Sequence, residues 1–381
     1  MHIVPIASGK GGVGKSMISA NLAIALAEAG KEVILADLDL GASNLHIILG
    51  TTATPRGIGN FLSSPGTDIT SIIYETDIHN LYFIPGDSEI PGLANITQRQ
   101  KKMLTKKLLG LSCDYLILDL GAGSNVNILD YFLLSNRGIV VSAPMLTATL
   151  NAYLFIKNIV FKLMWESCPP KSPGRTYLES LKKDGTVLQK AHLPELIAQL
   201  RIRDADSHQM LKSRLDRFKP RLIMNMLEDP KDADRAQKIR RSCLDFLGID
   251  LEHLGIIYRD DFQNIALNSR IPIVRYKPQS VLAQALYRIA DKLISTEDED
   301  ETPLFDEEYY NDTYDVASTE AMMDFETKVD YVEELLSSGA LTQGELIETI
   351  KLQQFEINQL KKENQLYKYK LTQAISQGFK V

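Results

Sequence analysis

Cysteine is scarce in this 381-residue chain: Cys113, Cys168 and Cys243 lie far apart and form no C-x-x-C pair. That spacing argues against a disulfide framework or a cysteine-built zinc site, and it fits a reducing cytosol. An uninterrupted membrane-spanning run is also missing. The most apolar region, Gly138 to Trp165, is broken by Ser142, Pro144, Asn151, Lys157 and Asn158. It reads as a buried strand followed by a helix. The opening residues MHIVPIASGKGG run straight into a glycine-rich motif, so no signal peptide is expected. Basic residues are absent from Glu297 to Asp315, EDEDETPLFDEEYYNDTYD, which holds ten acidic ones. Removing those ten charges from the net −7 leaves the rest of the chain at +3. The acidity is local, and a solvated, disordered linker is expected over 296–318.

What is present points to a packed core. The apolar share is 44%, and the length suits one large α/β domain with an appendage. HIVPIAS, EVILAD, LYFIPG, YLILDL, GIVVSAP, RLIMNM and LGIIY read as strands separated by helical patterns. Several are continuously apolar, as in a sheet covered on both faces. The expected fold is a doubly wound, mainly parallel α/β sheet flanked by helices, over residues 1–295. Pro5 removes a ladder donor, so it is expected near the start of its strand or at an irregularity.

Residues 165–219 break the rhythm. SCPPKSPGRT has loop composition, and the stretch after it reads as a helical insertion carrying Arg201, Arg203, Lys212, Arg214, Arg217 and Lys219. It is either a solvated insertion at the sheet edge or a docking surface for an acidic partner or a DNA backbone. A helical tail is expected over 319–381. Met322, Phe325, Val329, Val332 and Leu336 recur at helical steps, and Gly339 offers a stop. Thr342 to Glu345 has capping-box spacing. Beyond it Ile350, Ile357, Asn364 and Leu371 lie seven apart, with Leu346, Gln353, Leu360, Tyr367 and Ala374 in the second seam. Glu356 and Glu363 would face Lys361 and Lys368 of a second copy in a parallel coiled coil over about 343–375. The other reading is one amphipathic helix folded back on the core.

The strongest motif is GKGGVGKS, with Gly9, Gly14, Lys15 and Ser16 in the G-x-x-x-x-G-K-[ST] positions. A strand precedes it, and SMISANLAIALAEAG follows as a helix ending at Gly30. Backbone N–H groups of such a loop turn onto phosphate oxygens, and the helix offers them its positive end. Lys15 is then expected to neutralise β- and γ-phosphates and the Ser16 hydroxyl to bind Mg²⁺. The nucleotide-binding set is expected to be Gly9, Lys10, Gly11, Gly12, Val13, Gly14, Lys15, Ser16 and Met17.

KGGVGKS resembles the deviant Walker A loop of the MinD/ParA family, and later segments match that family in order. LADLDLGASNLHIILG, residues 35–50, resembles its first switch, with Asp37, Asp39, Gly41 and Asn44 in a D-x-D-x-G-x-x-N pattern. CDYLILDLGAG, residues 113–123, resembles Walker B and the second switch, with Asp119 at the strand end. RLIMNM resembles the strand carrying the family's adenine-reading asparagine, here Asn225. DLGAG and NAYLFIKN look closest to the flagellar-number regulators of the FlhG or FleN type.

The resemblance implies an ATPase using ATP/ADP and Mg²⁺. Asp37 and Asp119, with Ser16, are expected to order the metal's shell, and Asp39 the attacking water. Two carboxylates spaced i, i+2 at a strand end point to the same side. Gly121 and Gly123 would let the second switch approach the γ-phosphate. The resemblance gives Lys10 a place across a homodimer interface, on the partner's nucleotide. It implies a slow, partner-stimulated, cytoplasmic switch that positions or counts a cellular structure. The tail LYKYKLTQAISQGFKV reads either as the end of the coiled coil or as a helix peripheral at the inner face of a membrane. The alternative is a partition ATPase binding DNA nonspecifically, supported by the Arg201–Arg221 stretch and the cluster Arg235, Lys238, Arg240 and Arg241.

Overall fold

The computed structural model describes residues 1–338 apart from 42, 52–55, 65, 87–95, 184–191 and 297–306, together with residues 347, 351 and 354. The chain divides into two units, Met1–Asp324 and Phe325–Val381.

An eight-stranded sheet organises the first unit. Its strands are β1 His2–Ser8, β2 Val33–Leu38, β3 Tyr74–Glu75, β4 Leu81–Ile84, β5 Tyr115–Ala122, β6 Ile139–Ser142, β7 Arg221–Leu227 and β8 Glu252–Tyr258. The spatial order is β3-β4-β2-β5-β1-β6-β7-β8. Among the described residues every pairing is parallel except β3 with β4. The sheet is therefore the doubly wound one expected. The two-residue β3 escaped sequence reading, because so short an antiparallel edge carries no period.

Alternate strand residues serve two packed faces. Val4 and Ile6, Val33 and Leu35, and Tyr115 and Ile117 join one core cluster with the helix Lys15–Glu28 and the helix Val281–Ser295. Ile34, Leu116, Leu118 and Val140 point the other way and are equally buried. That double burial is why these strands read as unbroken apolar runs. Behind the second face Phe132 meets Phe155 edge-on, with ring centroids 5.0 Å apart. Pro5 stands in the middle of β1 rather than at its start. Pairing with β6 begins only at Ile6, and the register irregularity lies between Ile6 and Ser8.

After β6 the helix Leu146–Ser167 runs 22 residues. Pro173–Lys183, Leu193–Arg203 and Ala205–Arg217 are helical, and β7 follows. Two side chains in the basic stretches are not surface charges. Arg221 is 5% exposed and Arg240 is 3% exposed. Each is held by a carboxylate, Glu252 at 3.0 Å and Asp250 within hydrogen-bonding distance.

The expectation of a disordered linker over 296–318 is corrected from Glu307 onward. A helix spans Glu307–Ser337. Tyr310, Ala317 and Ala321 are buried on it. Its polar groups find partners: Arg240 donates to Asn311 at 2.6 Å, Lys292 to Glu320 at 2.7 Å, and Arg288 to Asp324. Charge counting missed a helix that buries Tyr310 and Ala317 and, beyond the counted acids, pairs Glu320 and Asp324 with the preceding helix. In the stripe expected further along it, Met322, Val329 and Val332 are exposed. The heptads over 343–375 lie outside the described residues, save residues 347, 351 and 354. No helix among the described residues is long and apolar enough to cross a membrane.

Candidate functional site: a phosphate loop facing paired carboxylates

The sheet register builds the site. Asp37 on β2 stands opposite Asp119 on β5, near the carboxyl ends of two parallel neighbours. Both continue the face that packs the Lys15–Glu28 helix, since they follow Leu35 and Ile117 by two residues. The first residue of that helix therefore reaches them. Lys15 Nζ donates to Asp119 Oδ1 at 2.7 Å and to Ser16 Oγ at 3.1 Å. Ser19, one turn along, donates to the same Asp119 oxygen at 2.7 Å.

Asp37 is fully buried. Ser43 Oγ donates to its Oδ2 at 2.6 Å, and the Asp39 N–H to its Oδ1 at 3.1 Å. Burial, and then the charge of Asp119, push the Asp37 carboxyl up to about 7. Its hydrogen bonds and Lys15 act in the opposite direction without cancelling them. Asp39 lies just past the strand, half-buried, with its carboxylate beside Gly121: a Cβ there would sit 3.2 Å from Asp39 Oδ1. A cavity of about 130 Å³ opens next to Asp39 and Gly121, walled by Asn125, Asn127 and Tyr131.

The loop itself is held from two sides. Gly14 caps the helix with φ of 85°, and a Cβ on it would lie 2.3 Å from Asn225 Nδ2. Gly9 passes so close to the helix Leu146–Ser167 that a Cβ would fall 2.1 Å from the Asn151 carbonyl oxygen. Asn225 is buried and donates to the Val13 carbonyl oxygen at 2.9 Å. Its amide thus braces the loop. Gly11 and Gly12 complete the turn, and Met17 packs at the edge of the core.

Lys10 is placed apart from this cluster. Its ammonium donates to Thr147 Oγ1 at 2.8 Å, on the first turn of the Leu146–Ser167 helix. Sequence reasoning missed Ser19 and Ser43, the two hydroxyls that orient the carboxylates. Ser19 stands four residues after Lys15 and Ser43 six after Asp37, so only the folded turns identify them.

The donor set suits a hydrated magnesium. Burial and, after it, repulsion from Asp119 both disfavour the Asp37 carboxylate, and a divalent cation would offset both. Among the described residues no group of three or more His, Cys, Asp or Glu forms an all-protein metal cage. Mg²⁺ needs none, since it keeps several waters and binds through one or two carboxylates and phosphate oxygens.

A strand, a glycine-rich loop and a helix, with carboxylates at the neighbouring strand ends, define a nucleotide-binding P-loop protein. The family model described as the CobQ/CobB/MinD/ParA nucleotide binding domain matches residues 4–365, and the chain belongs to that family. It is 34% identical over 155 residues to the septum site-determining protein MinD of Thermotoga maritima, covering 40% of this chain and 55% of that protein. It is 35% identical over 156 residues to the flagellum site-determining protein YlxH of Helicobacter pylori, covering 40% and 52%. The chain thus spans about half the length of the curated relatives it matches. Its fold resembles that of MinD from Pyrococcus horikoshii, solved with Mg-ADP, with a TM-score of 0.53 at 23% identity. That match covers 77% of this chain and 95% of the other.

Proposed function

We propose that the chain is an ATP-hydrolysing switch of the MinD and FlhG type, controlling the placement or number of a cellular structure. The observation that carries this reading is the division of labour between two lysines on one loop. Lys15 lies among Asp119, Ser16 and Ser19, where phosphates and a metal would be held. Lys10 points away, onto Thr147.

In this reading Ser16, Asp37 and Asp119 hold a hydrated Mg²⁺, which supplies charge neutralisation between phosphates. Lys15 exchanges Asp119 for phosphate oxygens. Asp39 orients the attacking water, and Asn225 keeps the loop in register beside the base. Lys10, free of its own loop's lysine site, stabilises charge on the nucleotide of a second copy, in the manner of an arginine finger. Nucleotide state and dimer closure then form one linked equilibrium. An activating protein and a membrane surface complete the cycle. Nonspecific DNA binding is the weaker reading, because Arg221 and Arg240 are withdrawn into buried ion pairs.

The test is turnover and binding in Lys10→Ala. Hydrolysis is expected to vanish while ATP affinity is retained, and unchanged turnover would refute the role in trans. Co-sedimentation with anionic vesicles and with DNA, each with and without ATP, separates the surfaces.

A further inference from the structure

The opposite end of the sheet carries a second built site. A cavity of about 400 Å³ opens where β1, β5 and β7 begin, with Tyr115, Leu134 and Leu293 among its apolar walls. Arg137 and Arg221 line it together. Arg221 is 5% exposed and donates to Glu252 Oε2 at 3.0 Å and to Thr296 Oγ1 at 2.8 Å. Arg137 shares that one carboxylate oxygen at 3.3 Å and reaches the Thr296 carbonyl at 3.4 Å. Both of its bonds are long, and its Nε is buried with no hydrogen-bond partner among the described residues.

Two guanidiniums on one carboxylate leave a net positive charge in the cavity, with Arg221 buried and Arg137 half-buried at its opening. A guanidinium has five donors in a planar fork that fits an oxyanion bidentately. Buried charge with unmet donors is costly unless a ligand completes it. Lys219 extends the same field: burial and the Arg137 charge hold its ammonium below the ordinary range, with Glu252 acting against them. Nothing in the phosphate-loop chemistry uses this cluster, which lies at the far ends of the same strands.

We infer that the Arg137–Arg221 cavity binds a small organic oxyanion, a carboxylate or phosphate monoester, whose head group is taken by Arg137 and whose apolar body rests on Leu134 and Leu293. Because β1 runs from this cavity to the phosphate loop, such a ligand sits one strand's length from the nucleotide site.

The test uses the full chain saturated with ADP and Mg²⁺, so that the phosphate loop is closed to the probes. Phenyl phosphate and phenylacetate are titrated by calorimetry. Saturable one-to-one binding of at least one probe is expected, and it names the head group preferred. Arg137→Gln is expected to weaken it at least tenfold with ADP affinity unchanged. Arg137 pairs with Glu252, so a second variant leaves the ion pair intact. Asn136→Glu places a negative charge on the cavity rim and is expected to weaken binding severalfold, with Asn136→Gln near wild type. Absence of saturable binding overturns the inference, as does binding that neither charge change affects. Five carboxylates within residues 297–301 follow Thr296 directly. Binding seen only after all five are changed to Gln or Asn would also overturn it, by showing that the chain fills its own cavity.

Discussion

Asn225, two residues before the end of β7, donates its side-chain amide to the Val13 carbonyl oxygen 2.9 Å away, tying that strand to the phosphate loop. The bond is buried and joins residues 212 positions apart. Losing it strands a loop carbonyl, a cost of about 1–3 kcal/mol. Asn225→Ala is therefore expected to lower the melting temperature and to weaken ADP binding about tenfold. A residue that only read the base would change the preference for ADP over GDP and leave stability alone; thermal unfolding alongside titration with both nucleotides separates the two roles.

Gly14 meets the same amide from the other side. With φ of 85° and 2.3 Å of room for a Cβ, Gly14→Ala is strained twice, by backbone and by contact. Nucleotide binding is expected to be lost below a hundredth of the wild-type affinity. Combining it with Asn225→Ala removes the contact but not the backbone strain, so the double variant should be less damaged than the two losses added. Full additivity in this cycle would show that the two residues do not touch.

The pH dependence follows from Asp37, whose carboxyl is pushed up to about 7 by burial and by Asp119. An unfolded aspartate titrates near 4, as is usual for this side chain. Between those values the folded state holds the extra proton, so stability falls as pH rises through that window and levels off above it. Asp37→Asn removes the titration. In nucleotide-free protein, the melting temperature of wild type minus that of Asp37→Asn is expected to decline from about pH 4 to about pH 7. Saturating Mg²⁺ and ADP should flatten the decline, because a cation favours the ionised carboxylate.

Arg240 tests the assignment of basic residues. It is buried against Asp250 and donates to Asn311 on the Glu307–Ser337 helix. Arg240→Ala leaves Asp250 without its partner and is expected to destabilise the fold by about 3–5 kcal/mol, read by chemical denaturation. Lys238→Ala and Arg241→Ala, both at exposed positions, should stay within about 0.5 kcal/mol of wild type. Equal effects from all three would place Arg240 at the surface.

The residues that do local work were legible in the chain itself. Gly9 to Ser16 can form only a few loop shapes, and a strand before it and a helix after it fix where its N–H groups converge. The apolar runs of β1, β2 and β5 announced a sheet covered on both faces, because their central residues, such as Val4 to Ser8, Val33 to Leu38 and Tyr115 to Gly121, are buried whichever way they point. Asp37 and Asp119 ended two of those runs, which is enough to bring them to one edge.

What the chain could not disclose depends on pairings between distant segments. The burial that raises the Asp37 carboxyl, and the register that adds the Asp119 charge to it, exist only once β2 and β5 are neighbours in the packed sheet. Asn225 read as a strand-end residue and became a brace, since its partner lies 212 positions away. Arg221 and Arg240 counted as surface charge until Glu252 and Asp250 were brought beside them. The acidic stretch read as solvated because its local charge repels itself. From Glu307 it is helical, with Tyr310 and Ala317 buried, Asn311 bonded to Arg240, and Glu320 and Asp324 further along paired with Lys292 and Arg288. Local patterning determines which segments become strands, loops and helices, whereas burial and charge pairing are properties of the assembled fold.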